Sequence, residues 1–242
     1  MLDRAPRRNW LMEQVEPQVR RRFSEATRTV TLTKGQVLLH PGDEVASVYF
    51  PEGALIGLAS STPAGDAVQT ALIGWDGALG VFEACGTRRS LCLAEVLVQG
   101  VALAMAADDY RAMFEASEAL RVAVHKHVEL LLAESRQDVA CNALHTVEAR
   151  LSRWVLEALE RSQDGRVLPV TQEALAQMLG VQRTTITAAM AGLQARGVLR
   201  TTRGAVQVLD AKALERDACC CRETIQAAKR EIYTADDQVC DS

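Results

Sequence analysis

The residues best placed to do chemistry lie between Thr171 and Gly197. Leu175, Ala176 and Leu179 fall on one face of a short helical stretch, Gly180 interrupts it, and Ile186, Met190 and Leu193 resume helical spacing beyond the break. This predicts two helices packed across a tight turn, with Ala176 small enough for close approach, Gly180 free to take a positive φ, and Val181 plugging the corner. Arg183, Thr184, Thr187, Ala188 and Ala191 then point outward from the second helix. A slim face led by a cation suits a duplex major groove, where a guanidinium can grip guanine O6 and N7 while threonine and alanine methyls touch thymine.

Downstream, Val198 to Thr201 and Ala205 to Leu209 are β-prone runs joined by Thr202-Arg203-Gly204, a hairpin that would make the unit a winged helix-turn-helix. Between Thr171 and Leu209 the cations are Arg183, Arg196, Arg200 and Arg203 against the single acid Glu173, the local basic surface that phosphate contact requires. The candidate DNA-binding residues are Thr171, Gln172, Arg183, Thr184, Thr185, Thr187, Ala188, Arg200 and Arg203. An ordinary helical hairpin inside a larger domain is the competing reading. It lacks a reason for the hairpin and the cations.

Other chemistries find less support. No Ser/His/Asp set, Cys/His pair or glycine-rich phosphate loop is assembled at short range. The β-rich half holds only His40, too few histidines for a metal enzyme built on a jelly roll, so a ligand-binding or metal-dependent β-roll enzyme with an incidental helical domain is the second class of hypothesis. His125 and His127 are two apart on a helix and face different ways, and no metal is expected at them or at His145. Cys219-Cys220-Cys221 cannot all turn toward one ion unless the helix unwinds. They are read as small, half-buried thiols, with redox or metal chemistry as the alternative.

The elements that must position the basic face follow from composition. At 242 residues the chain suits two modest domains and a connector, and its 48% hydrophobic content can fill ordinary cores. A net charge of -4 confines any DNA affinity to a patch, and 4% aromatic residues argue against a stacking platform for single strands. Seven cysteines without framework spacing read as free thiols. No apolar run is of bilayer length and the first residues carry no signal-peptide core, so the expected location is the cytoplasm.

Residues 10–26 look helical, with Pro17 at a first helical position. From Thr29 to Met105, short β-prone runs alternate with glycine and proline, implying an antiparallel sandwich or barrel. Between Ala106 and Asp164 there is neither glycine nor proline, and the helical segment should break at Ser117 and around Asn142 to Thr146. Two stripes run along its centre. Leu120, Ala123, His127 and Leu130 form one, and Val124, Val128, Leu131, Ser135 and Val139 the other, wanting the β domain and a symmetry-related helix as partners. The expected division is 1–105 β-roll sensor, 106–145 connecting and dimerisation helices, 146–210 winged helix-turn-helix, and 211–242 C-terminal helix and tail. The fold class is α+β.

In this order of parts the chain resembles the Crp/Fnr family of bacterial transcription regulators over about residues 10–215. The matching words are Gly35 to Leu38, Pro41-Gly42-Asp43, Val48 to Phe50, Gly80 to Glu83, Val147 to Leu151, and the helix-turn-helix itself. The resemblance implies a homodimer joined along its long helices, with Val124, Val128, Leu131, Ser135 and Val139 at the interface, that reads palindromic DNA and is not an enzyme. It also implies RNA polymerase as a partner, through exposed residues such as those of the 162–165 turn. Arg183 matches the family's leading arginine, while Thr184 and Ala188 replace its usual Glu and second Arg, so the operator should differ from that of the cyclic-AMP receptor. Of the family's cyclic-nucleotide cassette the chain keeps Gly77, Arg89 and Ser90, with Ser135 where the long helix offers a hydroxyl to adenine. These four are the candidate ligand-binding residues. Ala78 stands in for the ribose-binding Glu, so another ligand, or ligand-free DNA binding, is expected ahead of cyclic AMP and no cofactor is assigned. The first cysteine is Cys85, which leaves the family's N-terminal iron-sulfur cluster without ligands.

Overall fold

The punctuated runs of the first half form strands, and the segment without glycine or proline forms helices, in a computed structural model that describes residues 8–64, 67–162 and 165–234. Chain order is α1 (Trp10–Glu13), α2 (Pro17–Ala26), β1 (Arg28–Leu32), β2 (Val37–Leu39), β3 (Ser47–Pro51), β4 (Leu55–Ser61), β5 (Ala67–Ile73), α3 (Val81–Cys85), β6 (Leu93–Val98), β7 (Gly100–Ala106), α4 (Ala107–Ala116), α5 (Glu118–Leu144) and α6 (Val147–Arg161). There follow β8 (Val167–Leu168), α7 (Gln172–Leu179), α8 (Arg183–Ala195), β9 (Leu199–Thr202), β10 (Ala205–Val208), α9 (Ala211–Asp217) and α10 (Cys221–Thr234). Strands pair antiparallel in sheets ordered β1-β7-β3, β2-β6-β4-β5 and β8-β10-β9. Leu32, Leu39, Ile56, Ile73, Val96 and Ala102 fill the space between the first two, giving the α+β architecture with an N-terminal β-roll.

The helical breaks fall at cap residues. Ser117 Oγ accepts from Leu120 N and Thr146 Oγ1 from Ala149 N, each satisfying an otherwise orphaned N–H of the first turn. Leu120 and Ala123 pack with Phe50, Met105 and Tyr110 of the β-roll flank. Here the periodicity-based seam for a second copy needs correction. Val124 is buried in that same core, Val128 packs against it, and Leu131 is half-buried. Ser135 Oγ donates to Thr70 O of β5 at 3.2 Å, leaving only Val139 fully outside. The opposite flank of α5 is covered by α10, whose Thr224, Ile225 and Ala228 face Leu130, Ala133 and Gln137 across a small cleft. A long helix with two intramolecular neighbours spends more of its surface inside its own subunit than two stripes suggest. The exposed seam is Val122, His125, Glu129, Leu132, Arg136 and Val139, at alternating spacings of three and four.

The recognition half is not a separate body. Leu55, Leu72, Leu97 and Val98 of the β-roll share one core with Leu151, Trp154 and Val155 of α6 and with Leu175, Leu179, Ile186 and Met190 of the helix-turn-helix. Trp154 Nε1 donates to Gln69 Oε1 at 3.2 Å across this contact. Beside it lies a buried charged clamp. Arg161, at the end of α6, bonds both Asp76 oxygens and Glu134, while Lys229 of α10 reaches Asp76 at 2.6 Å. Burial pushes the Asp76 carboxyl up, but Arg161 and Lys229 hold it well below the usual carboxylate range. Trp10 stacks on Tyr233 at 4.1 Å, so α10 is tied to α1.

Candidate nucleic-acid interface

α7 begins at Thr171, whose hydroxyl accepts from Ala174 N at 3.1 Å, and ends at Gly180 with φ +61, where a β-carbon would be strained. Arg150 of α6 donates to the Leu179 carbonyl at 2.5 Å, a cation at a helix C-terminus that fixes α7 on α6. Val181 packs at the corner, and α8 buries Ile186, Ala189, Met190 and Leu193. This inward set requires the rest of α8 to face out, and it does. Arg183, Thr184, Thr185, Thr187, Ala188 and Ala191 are all exposed.

The exposed face is partly pre-ordered. Thr187 Oγ1 donates to Gln172 Oε1 at 2.9 Å, locking the second helix to the start of the first. Arg183 Nε lies 3.7 Å from Glu173 Oε2 with both side chains largely in solvent, a contact worth about 0–1 kcal/mol and readily exchanged. Arg200 on β9 and Arg203 at the hairpin tip are exposed and form no ion pair among the described residues. Arg196 leaves the basic set. It bonds Glu148 at 2.6 Å and Asp217 at 3.0 Å, which neutralises it and staples α8 to α6 and α9. The sequence could not show this, because both partners lie outside the helix-turn-helix.

The four candidate ligand residues each contact groups of their own subunit. A β-carbon on Gly77 would lie 2.3 Å from His127 Cε1, so that imidazole fills the corner, with Nε2 at 3.2 Å from Ala78 N and 3.1 Å from its carbonyl oxygen. Burial lowers the His127 pKa to about 4, keeping it neutral. Ser135 contacts β5 eight residues further along α5, about 12 Å away at 1.5 Å per residue. Arg89 is exposed and donates to Gly42 O at 2.8 Å, and buried Ser90 gives its hydroxyl to Cys92 O at 2.8 Å. Each is occupied by its own subunit.

The cysteine run also departs from expectation. Cys219 and Cys220 precede α10 at a break after α9, so the helix that was to splay them apart is interrupted. Cys219 and Cys221 turn inward together to meet Cys141 and His145. The signal in the sequence is that Cys141 and His145 are four apart, on one helical face. Of the 162–165 turn, Gln163 and Asp164 lie outside the described residues, as does Cys240.

Residues 149–217 match the family model of the Crp-like helix-turn-helix domain. No curated protein matches the sequence. Among solved structures, a CRP/FNR-family transcriptional regulator from Thermus thermophilus is 25% identical, covers 79% of this chain and 98% of its own, and superposes with a TM-score of 0.62. FixK2 from Bradyrhizobium japonicum is 11% identical with a TM-score of 0.68, over 80% of this chain and 98% of that one. The c-di-GMP-responsive global regulator CLP of Xanthomonas campestris is 16% identical with a TM-score of 0.64, over 80% and 99%. No helix among the described residues is long and apolar enough to cross a membrane. Residues 149–217 thus carry a Crp-like helix-turn-helix domain, and the chain as a whole is similar in fold to CRP/FNR-family transcriptional regulators.

Proposed function

We propose that the chain is a sequence-specific DNA-binding regulator of transcription that acts as a homodimer on palindromic operators. The observation carrying this reading is the complete outward exposure of Arg183, Thr184, Thr187 and Ala188 on a helix whose opposite face is core, flanked by exposed Arg200 and Arg203 on the wing. Arg183 exchanges Glu173 for a guanine edge, Thr184, Thr187 and Ala188 read methyl groups, and Thr171, Gln172, Thr185, Arg200 and Arg203 hold phosphates. Dimerisation uses the seam of Val122, Leu132 and Val139 on α5, which stays exposed after α10 and the β-roll are docked. RNA polymerase is the partner such a regulator would recruit.

The signal is not a cyclic nucleotide in this reading. His127 closes the Gly77-Ala78 corner that a ribose would enter, and the Arg89 guanidinium faces a backbone carbonyl on the surface. Selection of bound duplexes from a random pool tests the proposal. The expected outcome is an inverted repeat whose half-sites lie a whole number of helical turns apart. Enrichment of a single unrepeated element, or of none, refutes it.

A further inference from the structure

The structure assigns a function to the cysteine cluster that the DNA-binding reading does not use. We propose that Cys141, His145, Cys219 and Cys221 form a tetrahedral Cys3His site for one thiophilic divalent ion, Zn2+ in the first instance. The four ligand atoms all lie within 4.8 Å of one another, with Cys141 Sγ to Cys219 Sγ and Cys221 Sγ to His145 Nδ1 each 3.4 Å. A tetrahedron with metal–sulfur bonds of about 2.3 Å and metal–nitrogen bonds of about 2.0–2.1 Å has edges of roughly 3.5–3.8 Å. The cluster therefore has the size of one ion's coordination sphere. An iron-sulfur cubane, whose thiolates sit outside an eight-atom core, needs ligand atoms further apart.

The surroundings are those of a built site. Cys141, Cys219 and Cys221 are all buried, on a chain whose Cys85 and Cys220 are exposed. Gln137 Nε2 donates to Cys221 Sγ at 3.1 Å, an amide aimed at a sulfur acceptor. His145 Nε2 faces Cys220 Sγ at 3.5 Å, so its second nitrogen has the outer partner that orients a ligating imidazole. Three thiolates around a dication leave one negative charge. Arg150 and Arg153 feel the charge of Cys141, and each has a buried Nε with no hydrogen-bond partner among the described residues. Binding releases the three thiol protons, and neither oxidant nor reductant is involved.

The site's place gives it a consequence. Cys141 is in the last turn of α5, His145 caps that helix before α6 begins, and Cys219 and Cys221 bracket the α9–α10 junction. One ion would bind the joint between long helix and recognition half to the C-terminal helix. This inference stands apart from DNA recognition, and its test needs no DNA.

The reduced full-length protein is titrated with Zn2+ and separately with Co2+. Expected are one ion per chain and, with cobalt, intense visible bands of a tetrahedral ion together with sulfur-to-metal charge transfer. Cys219→Ser and Cys141→Ser should each lower affinity at least tenfold and reduce the charge-transfer intensity by about a third, one thiolate of three, while Cys85→Ser and Cys92→Ser change neither. Should the serine variants fail to fold, alkylation of the unmutated protein decides. Zn2+ must shield Cys141, Cys219 and Cys221 and leave Cys85 reactive. Less than one ion per chain, a cobalt spectrum without sulfur transitions, shielding at other cysteines, or a Cys141–Cys219 disulfide as the sole chemistry of the cluster would overturn the assignment.

Discussion

Replacing Arg161 by Met removes the centre of the buried clamp while keeping its volume. Arg161, Asp76 and Glu134 are each under a tenth exposed, and breaking a buried pair by deleting one partner typically costs about 3–5 kcal/mol. Asp76 would retain Lys229 at 2.6 Å, whereas Glu134 would keep no hydrogen-bond partner among the described residues, which places the cost near the lower figure, about 3 kcal/mol at pH 8. Burial already pushes the Glu134 carboxyl up and Arg161 opposes it, so loss of Arg161 raises it further. A carboxyl whose folded pKa exceeds its unfolded value contributes stability that is present at low pH and lost as pH rises. The variant should therefore recover relative to the parent as pH falls from 8 toward 5.5, at a slope of up to about 1.4 kcal/mol per pH unit. Urea unfolding followed by tryptophan fluorescence at the two pH values reads this directly. Adding Glu134→Gln should restore at least half of the loss at pH 8. A cost below about 1 kcal/mol, or an equal cost at both pH values, would refute the reasoning.

Arg183→Ala is expected to cost about 1–3 kcal/mol at the cognate operator and to relax base preference at one position per half-site, measured by competition binding; unchanged preference would remove α8 from the groove. Arg203→Ala should weaken binding to all duplexes alike and lower the salt slope by about one. Leu132→Asp on the exposed seam of α5 should yield a monomer by light scattering with the far-UV spectrum intact, because the new carboxylates would face each other only in the dimer. His127, neutral down to about pH 4 when folded and ordinarily titrating near 6.5, makes the unfolded chain the better proton acceptor between these values. Stability should fall by up to about 3 kcal/mol as pH drops through that window, and His127→Gln should flatten this acid limb in thermal melts. Ala78→Glu should destabilise the fold and leave cyclic AMP without effect in calorimetry, since the new carboxylate would meet the imidazole before any ribose.

The parts read correctly from sequence were those whose reasons are local. Gly180 between two helical periodicities, Ser117 and Thr146 as caps, and Arg203-Gly204 between β-prone runs each carry their signal within a few residues. The clamp could not be read this way, because Asp76, Glu134, Arg161 and Lys229 come from four distant segments and each alone resembles an ordinary surface charge. Periodicity along α5 does not reveal that Val124 and Val128 pack on the β-roll flank and that Ser135 bonds β5, because those partners lie far away in the sequence. The cysteine cluster depends on a helix break at Cys219 that composition does not signal, although Cys141 and His145 are spaced four apart on one helix. The ligand cassette is a case where letters and surroundings must be read together. Gly77 is a letter of that cassette, while His127, 50 residues further along the chain, packs against it and against Ala78.

The clamp also sets a timetable for synthesis. Asp76 leaves the ribosome 85 residues before Arg161 and 153 residues before Lys229. At about 5–20 residues per second those intervals are roughly 4–17 s and 8–30 s. Throughout them the nascent β-roll holds a carboxylate that cannot be sequestered without its counter-ions, so its flank against α5 must stay hydrated. The flank of the β-roll around Asp76 thus stays open to water until Arg161 and then Lys229 emerge, and a ribosome stalled before Arg161 would present that flank to proteases.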